Sequence, residues 1–191
     1  VNALEKGAGK KITHVNFRDK SRSWRHYGMS IRFNDGTVSY YRRDKDPYLS
    51  LFLQNMTLRP SCYECRFRCG SSGSDITLSD LWSVPDLVPQ LNDDKGVSGV
   101  FVNTEKGAAA FAKLLPEFVQ EMDKTKARSC NSGFSASIEA PAAREAFFKG
   151  AHLTPDIVAH MKKYVVAEPV TRRLWRTVRS MLSKLKRRMF V

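Results

Sequence analysis

The chain has no uninterrupted apolar run approaching the ~18 residues that a membrane-spanning helix needs, so no stretch of it reads as a helical membrane span. It has only four cysteines in 191 residues, too few to staple a disulfide scaffold. Its four histidines, His14, His26, His152 and His160, show no paired metal-ligand spacing. No Ser/His/Asp arrangement and no pair of acids points to hydrolytic chemistry. There is no internal repeat and no long low-complexity tract. The opening at Val1 lacks the apolar core and small-residue cleavage site of a signal peptide, and Val1 reads as an internal position of a longer chain. With 42% hydrophobic residues, the length suits one globular domain with an appendage.

Acidic residues are scarce in one place. From Lys162 to Val191 there are ten Lys or Arg and one acid, Glu168, so that +9 of the net +13 sits there and +4 is left for everything before it. The chain therefore reads as a nearly balanced domain, residues 1–168, carrying a basic tail, residues 169–191. It is not a uniformly basic nucleic-acid binder.

The patterning predicts an α+β fold: a β-hairpin and a further strand packed with several helices, a cysteine loop and a basic amphipathic C-terminal helix. Lys11 to Phe17 alternates and predicts a strand. Tyr27 to Phe33 predicts a second, and Asn34-Asp35-Gly36 a tight turn into Thr37 to Tyr41. Asp46-Pro47 opens a helix with Tyr48, Leu49, Phe52, Leu53 and Met56 on its apolar side. Ser74-Asp75 resembles a cap and predicts a short helical turn towards Trp82. Val84 to Lys95, with Pro85 and Pro89, predicts a loop. Val97 to Asn103 predicts a strand, and Thr104 to Asp123 a helix capped by Thr104 and interrupted at Pro116. Lys124 to Ser137 predicts a polar connection. Pro141 opens a helix reaching Gly150, and Thr154-Pro155-Asp156 starts another.

Reactive chemistry concentrates in one stretch. Cys62, Cys65 and Cys69 fall within eight residues, and a Cys-x-x-Cys pair can turn two thiolates towards one metal. Thiolates suit both zinc and iron–sulfur clusters, and spacing alone leaves the two open. Cys69 is a third ligand or a spare thiol, whereas Cys130, about sixty residues on in a polar loop, reads as a lone thiol. Arg59, Arg66 and Arg68 flank the cysteines, where cations lower thiolate pKa and hold a negatively charged cluster; the alternative is a solvated loop face.

The strings RPSCYECRF and SDITLSDLW, followed by DDKGVSGVFVNTEKG, resemble the C-terminal domain of the coenzyme F-420 hydrogenase/dehydrogenase beta subunit. KKITHVNFRDKSRSWRHYGMSIRF, from Lys10 to Phe33, and APAAREAFFKG, from Ala140 to Gly150, agree with it. The resemblance covers roughly residues 8 to 150. It implies an iron–sulfur flavoprotein that passes electrons through a 4Fe-4S cluster and a flavin (FAD) to a diffusible acceptor. That acceptor is of deazaflavin type or unknown, and some members are encoded beside cell-surface polysaccharide enzymes. It implies Cys62 and Cys65 as cluster ligands, with the family's remaining ligands upstream, so that both cofactors are incomplete in this chain alone; family members often lack a cysteine at the position of Cys69, which stays a candidate third ligand, a spare or a buried thiol. It also implies cofactor contacts for Arg18, Lys20, Asp80 and Trp82. Arg18 and Lys20 match the family's Phe-Arg-Asp-Lys and suit phosphate or an acidic tail; the alternative is a turn with Arg18 paired to Asp19. Asp80 and Trp82 stand in Ser79-Asp80-Leu81-Trp82-Ser83, where family members read Gly-Asp-Phe-Trp-Gly. Two glycines that would permit close backbone approach are serines here. Trp82 either stacks near a cofactor or belongs to the core. A reading of another class is a non-catalytic zinc- or cluster-stabilised interaction module.

The expected partner is a redox protein or diffusible electron carrier in the cytoplasm, with no nucleic acid. The tail places Leu174, Val178, Met181, Leu182, Leu185 and Met189 on one helical face among eight Arg and Lys. Such a face docks on the domain's own core or a partner, or makes peripheral contact with an anionic membrane. Docking is favoured by spacings that fit helix packing. Deleting residues 171–191 is accordingly expected to expose apolar surface and lower solubility. A truncated chain of unchanged solubility and stability, with the intact chain binding anionic vesicles in a salt-sensitive manner, would reverse that preference.

Overall fold

The computed structural model describes residues 1–68, 71–114, 119–129 and 132–167, together with Thr171, Leu174 and Val178. The other tail positions, and Cys69, Pro116 and Cys130, lie outside the described residues. The chain is α+β as expected, with two small antiparallel sheets among short helices.

The first sheet has the order β1-β2-β3, with β1 Ile12–Asp19, β2 Gly28–Phe33 and β3 Val38–Arg42. The hairpin turn closes as its sequence dictates. Phe33 N–H donates to Thr37 O at 2.9 Å, Asp35 Oδ1 accepts from Thr37 N–H at 3.0 Å, and Gly36 takes a φ of 82°, which favours glycine. A helix that the patterning did not reveal, α1 Asn2–Ala8, precedes β1. Its Leu4 packs on the hairpin core, and its Glu5 Oε1 accepts from Ile12 N–H at 2.8 Å, tying it to the start of β1.

The core lies in three clusters. One gathers Tyr27, Met29, Ile31 and Phe33 of the sheet around Leu49. A second joins Leu51, Met56 and Phe147, with Phe148, Met161 and Tyr164 packed against them. α2 Pro47–Leu53 links the two, because it gives Leu49 to the sheet and Leu51 to α8 Arg144–Ala151 and α9 Ile157–Tyr164. Of the expected apolar side, Leu49 and Met56 are buried, but Tyr48, Phe52 and Leu53 stay exposed, and within α2 the buried residues are Leu49, Ser50 and Leu51. With neighbours on two sides, the helix buries consecutive residues and a single-face reading fails.

The third cluster is Leu81, Val84 and Val88. It lies beside a two-stranded ribbon of β4 Ile76–Asp80 and β5 Ser98–Val102, paired from Ile76↔Val102 to Asp80↔Ser98. The expected helical turn at Ser74 to Trp82 is therefore a strand. Ser74 caps nothing: its carbonyl accepts from Asn103 Nδ2. The alternation Ile76-Thr77-Leu78-Ser79 prevails once β5 offers a partner. The expected loop at Val84 to Lys95 instead holds a turn of helix, α4 Val84–Leu87, and a 3-10 turn, Pro89–Leu91, with proline in the first turn of each. Thr104 does cap α5 Glu105–Phe111, accepting from Gly107 N–H at 3.0 Å, but the helix ends well short of Asp123. α6 Lys124–Ser129 and α7 Ser132–Ser135 occupy the expected polar connection. α3 Pro60–Tyr63 carries the first cysteine. Among the described residues no helix is long and apolar enough to cross a membrane.

Asp46 caps α2, accepting from Leu49 N–H at 2.7 Å while 7% exposed. Burial raises its carboxyl above the ordinary range, against the Leu49 and Tyr48 N–H groups that lower it. A carboxyl whose pKa rises on folding binds its proton more tightly in the folded chain, so this contribution is present at low pH and lost as pH rises through the folded value. Asp46→Asn keeps the cap and removes the titration. Urea unfolding at pH 4 and pH 7 should show the variant gaining on the parent as pH rises, and Asp46→Ala should cost about 1 kcal/mol through loss of the cap.

Candidate functional site

Three stretches far apart in sequence meet where the two sheets adjoin. A side-chain bond from Arg18 N–H to Asn16 Oδ1, 3.0 Å, shapes the irregular end of β1 and sets Arg18 toward the ribbon. Its Nη1 donates to Asp80 Oδ2, the last residue of β4, at 2.7 Å. The same guanidinium lies 5.1 Å from the Tyr27 ring centroid and 5.2 Å from that of Trp82. Trp82 in turn packs on Trp24 with centroids 4.8 Å apart. The third stretch, Asp93 to Gly96, closes over Trp24. Trp24 N–H donates to Asp94 O at 3.2 Å, and Arg25 N–H to Asp94 Oδ1 at 3.1 Å. Gly96, at a φ of 91°, lies so close that a Cβ there would collide with the Trp24 indole at Nε1.

This packing decides what the cluster can do. Arg18, Asp80 and Trp82 are brought together, whereas Lys20 is exposed past the end of β1 and makes no ion pair among the described residues. Arg18 pairs with Asp80 rather than with its neighbour Asp19. Asp19 accepts from Ser21 N–H at 2.9 Å, and hydrogen bonds from Ser21 and Ser30 hold its carboxyl below the usual range. Trp82 is 37% exposed, with Trp24 and Arg18 both packed near its ring. Arg18 Nε and Nη2 are buried with no hydrogen-bond partner; they face a desolvation cost of about 1–3 kcal/mol, offset by the two rings. They are the cluster's unspent donors. The serines that replace the family's glycines sit in ordinary backbone: Ser79 pairs with Gly99 within β4, and Ser83 has a φ of −90°. Asp75 and Thr77 serve the ribbon. Asp75 accepts from Thr104 Oγ1 at 2.6 Å and pairs with Lys106 at 3.1 Å, contacts that lower its pKa in that order. Thr77 Oγ1 accepts from Asn103 at 2.9 Å.

The cysteine loop lies against α8, apart from that cluster. Cys62 sits in α3, where Pro60 opens the turn and Cys62 N–H donates to Arg59 O at 2.9 Å. Cys65 follows it. Both thiols are free and half-buried. Two residues that sequence reasoning missed fix the loop. Ser137 Oγ accepts from Cys65 N–H at 3.1 Å and from Arg68 Nη1 at 2.8 Å. Arg144 donates to Tyr63 Oη at 3.1 Å and Leu58 O at 3.0 Å, with its guanidinium 4.6 Å from the Phe148 ring centroid. No local signal marks Ser137 for this role; Arg144 is one of two cations in α8, at its first position. A depression of about 540 Å³ opens beside the loop, lined by Tyr63, Glu64, Cys65, Arg66, Arg68 and Ser71.

The comparisons with known proteins agree with this layout. The sequence model of one family, described as the C terminus of the beta subunit of coenzyme F420 hydrogenase/dehydrogenase, matches residues 3–128. The chain belongs to that family, an oxidoreductase family whose members are typically iron–sulfur flavoproteins. The match takes in both sheets and the cysteine loop, and ends before Ala140–Gly150. No curated protein and no solved structure was found to be similar to the chain.

The described residues do not by themselves complete a cluster site. A 4Fe-4S cluster takes four ligands, and among the described residues no group of three His, Cys, Asp or Glu is set to hold a metal. Cys62 and Cys65 are two half-buried thiols with arginines beside them.

Arg18→Lys keeps the charge and removes the planar group that lies against Tyr27 and Trp82. Equilibrium unfolding in urea should show a loss of about 1–2 kcal/mol, with a change in tryptophan fluorescence from the Trp24–Trp82 pair. A variant of parental stability and spectrum would mean that Arg18 does not hold the sheets together.

Proposed function

We propose that the chain is the C-terminal part of an iron–sulfur flavoprotein oxidoreductase, in which electrons pass between a 4Fe-4S cluster, FAD and a diffusible acceptor or redox partner protein. The supporting observation is the family match across residues 3–128, which encloses the Cys-x-x-Cys pair. Cys62 and Cys65 are the two ligands assigned to the cluster, with Cys69 as a third candidate outside the described residues. The other cluster ligands are assigned outside the described residues as well, since these do not complete the group.

Within this reading the chain's own residues do three things. Ser137 and Arg144 hold the backbone that presents Cys62 and Cys65. Arg66 and Arg68, lining the depression beside Cys65, supply positive charge that suits a negatively charged cluster. Arg18, Asp80 and Trp82 form the side of the sheet junction assigned to the cofactor, with Lys20 exposed beyond the end of β1; Arg18 Nε and Nη2, which have no hydrogen-bond partner, are the donors assigned to an anionic oxygen. The acceptor is a deazaflavin or another carrier, and cell-surface polysaccharide synthesis is one setting for it.

The test is metal and flavin analysis of anaerobically purified full-length protein. Iron and acid-labile sulfide with broad visible absorbance are expected, and Cys62→Ser and Cys65→Ser should each abolish them. Full iron content in both variants, or stoichiometric zinc without iron in the parent, would overturn the reading.

A further inference from the structure

The hairpin sheet carries a second depression, of about 380 Å³, on the side of Tyr27 where Arg43 lies. It is lined by Arg22, Ser23, His26, Tyr27, Tyr40, Arg42, Arg43 and Asp44. None of the residues assigned above to a cofactor or metal lines it. Three arginines against one aspartate give it an excess of two positive charges, and how those charges are held is specific.

Arg42 is spent. Its Nε and Nη2 fork onto the two oxygens of Asp44 at 3.0 and 2.8 Å, the bidentate geometry that satisfies one carboxylate with one guanidinium. Arg22 and Arg43 are held by rings instead. The Arg22 guanidinium lies 4.1 Å from the Tyr40 ring centroid, and that of Arg43 lies 5.7 Å from the Tyr27 centroid. Neither has a carboxylate within ion-pair distance among the described residues, although the Arg22 charge reaches the Asp19 carboxyl and helps to lower its pKa. A ring fixes a guanidinium in place without consuming its in-plane N–H donors, so both heads keep their forks for a ligand.

Gly28 makes room for this. A Cβ on Gly28 would fall 2.6 Å from Tyr40 Cζ and would collide with the Tyr41 carbonyl. The Tyr40 ring therefore lies directly over bare backbone, with its hydroxyl donating to His26 O at 3.4 Å and Arg22 on the ring. Gly28, Tyr40 and Arg22 make one stack that places a cation over the depression. Any side chain at position 28 would displace the ring that supports it.

We propose that this depression is a binding site for a phosphoryl dianion, a free phosphate-class ligand or the phosphate end of a small phosphorylated molecule, gripped between Arg22 and Arg43. Two uncommitted guanidinium groups from different segments, the loop before β2 and the end of β3, approach a common space from two directions. That arrangement suits a tetrahedral oxyanion carrying two charges. A single carboxylate would be satisfied by one fork, as Asp44 is by Arg42, and would leave the second cation uncompensated. The volume admits a phosphoryl group with a small substituent. The proposal concerns a site separate from the cysteine loop and does not depend on the redox reading.

The test is isothermal titration of the 191-residue chain with inorganic pyrophosphate, with adenosine monophosphate and with citrate, in 150 mM sodium chloride. Pyrophosphate binding below millimolar is expected, weakened at least tenfold in the Arg22→Ala/Arg43→Ala double variant and only partly restored by Arg22→Lys/Arg43→Lys, which returns the charge without the fork. Tighter binding of adenosine monophosphate than of pyrophosphate would assign the phosphate to an organic ester, and the reverse to the free ion. Gly28→Ala should weaken binding as well; because it also strains the hairpin, circular dichroism accompanies it and the arginine variants carry the decision. Equal affinity for citrate and pyrophosphate, binding unchanged in the double alanine variant, or no binding by the parent chain would each overturn the proposal.

Discussion

The junction between the two sheets depends on one charged group. Arg18 is the side chain that the hairpin sheet, the ribbon and the Asp93–Gly96 turn have in common, through Asp80, Tyr27 and the Trp82–Trp24 pair. A two-stranded ribbon is marginal by itself, and β4–β5 has only Leu81, Val84 and Val88 as a buried cluster beside it. What seats it on the rest of the chain is a half-exposed ion pair, worth little as a pair in water, made stronger by aromatic faces that shield the guanidinium and reward its planarity. The cost is visible in the same residue: two of its donors are buried without partners. A contact that tolerates such a cost is one whose removal changes the position of everything on the ribbon.

The helical side is organised differently. α2 passes apolar contact from the hairpin sheet to α8 and α9 through adjacent residues, Leu49 and Leu51, and Gln54 fastens its end to the chain after α9 by exchanging hydrogen bonds with Val166. Arg144 of α8 then reaches the cysteine loop. The loop is positioned from the helices and the Trp82 cluster from the sheets, so the two candidate sites rest on separate supports. A substitution in one is expected to leave the geometry of the other largely intact, because distant sites without shared partners add nearly independently.

Much of this was legible in the sequence where the signal is local. The hairpin, its Asn34-Asp35-Gly36 turn, the caps at Asp46, Thr104 and Asp156, and the α+β class all follow from short-range patterns. The failures are non-local. Ile76–Asp80 alternates like a strand, but a strand needs a partner, and β5 lies about twenty residues on; the nearby Ser74-Asp75 then resembles a cap. The buried side of α2 depends on having two neighbours at once. Arg18 stood out from its motif, but its partner did not: Asp19 is adjacent in sequence yet is held by Ser21, and Asp80, sixty-two residues away, takes the guanidinium. Ser137 could not have been found at all, since a hydroxyl that braces a loop seventy-two residues earlier leaves no trace in its own neighbourhood.

The two arginine-rich depressions show how the same residue type is put to different use. At the cysteine loop, Arg68 is tied to Ser137, the same hydroxyl that accepts from Cys65 N–H, so its donor is spent on the protein's own loop. On the hairpin sheet, Arg22 and Arg43 are supported by Tyr40 and Tyr27, which leaves their donors turned outward in chemistry as well as in space. Tyr27 has Arg18 against its ring too, at 5.1 Å. One buried ring thus has a committed guanidinium and an uncommitted one packed on it. A ligand that draws Arg43 off Tyr27 would alter the surroundings of Arg18 through that ring. The hairpin sheet is therefore a physical route by which occupancy of the anion site can reach the junction that seats the ribbon, with Tyr27 as the element both sides share.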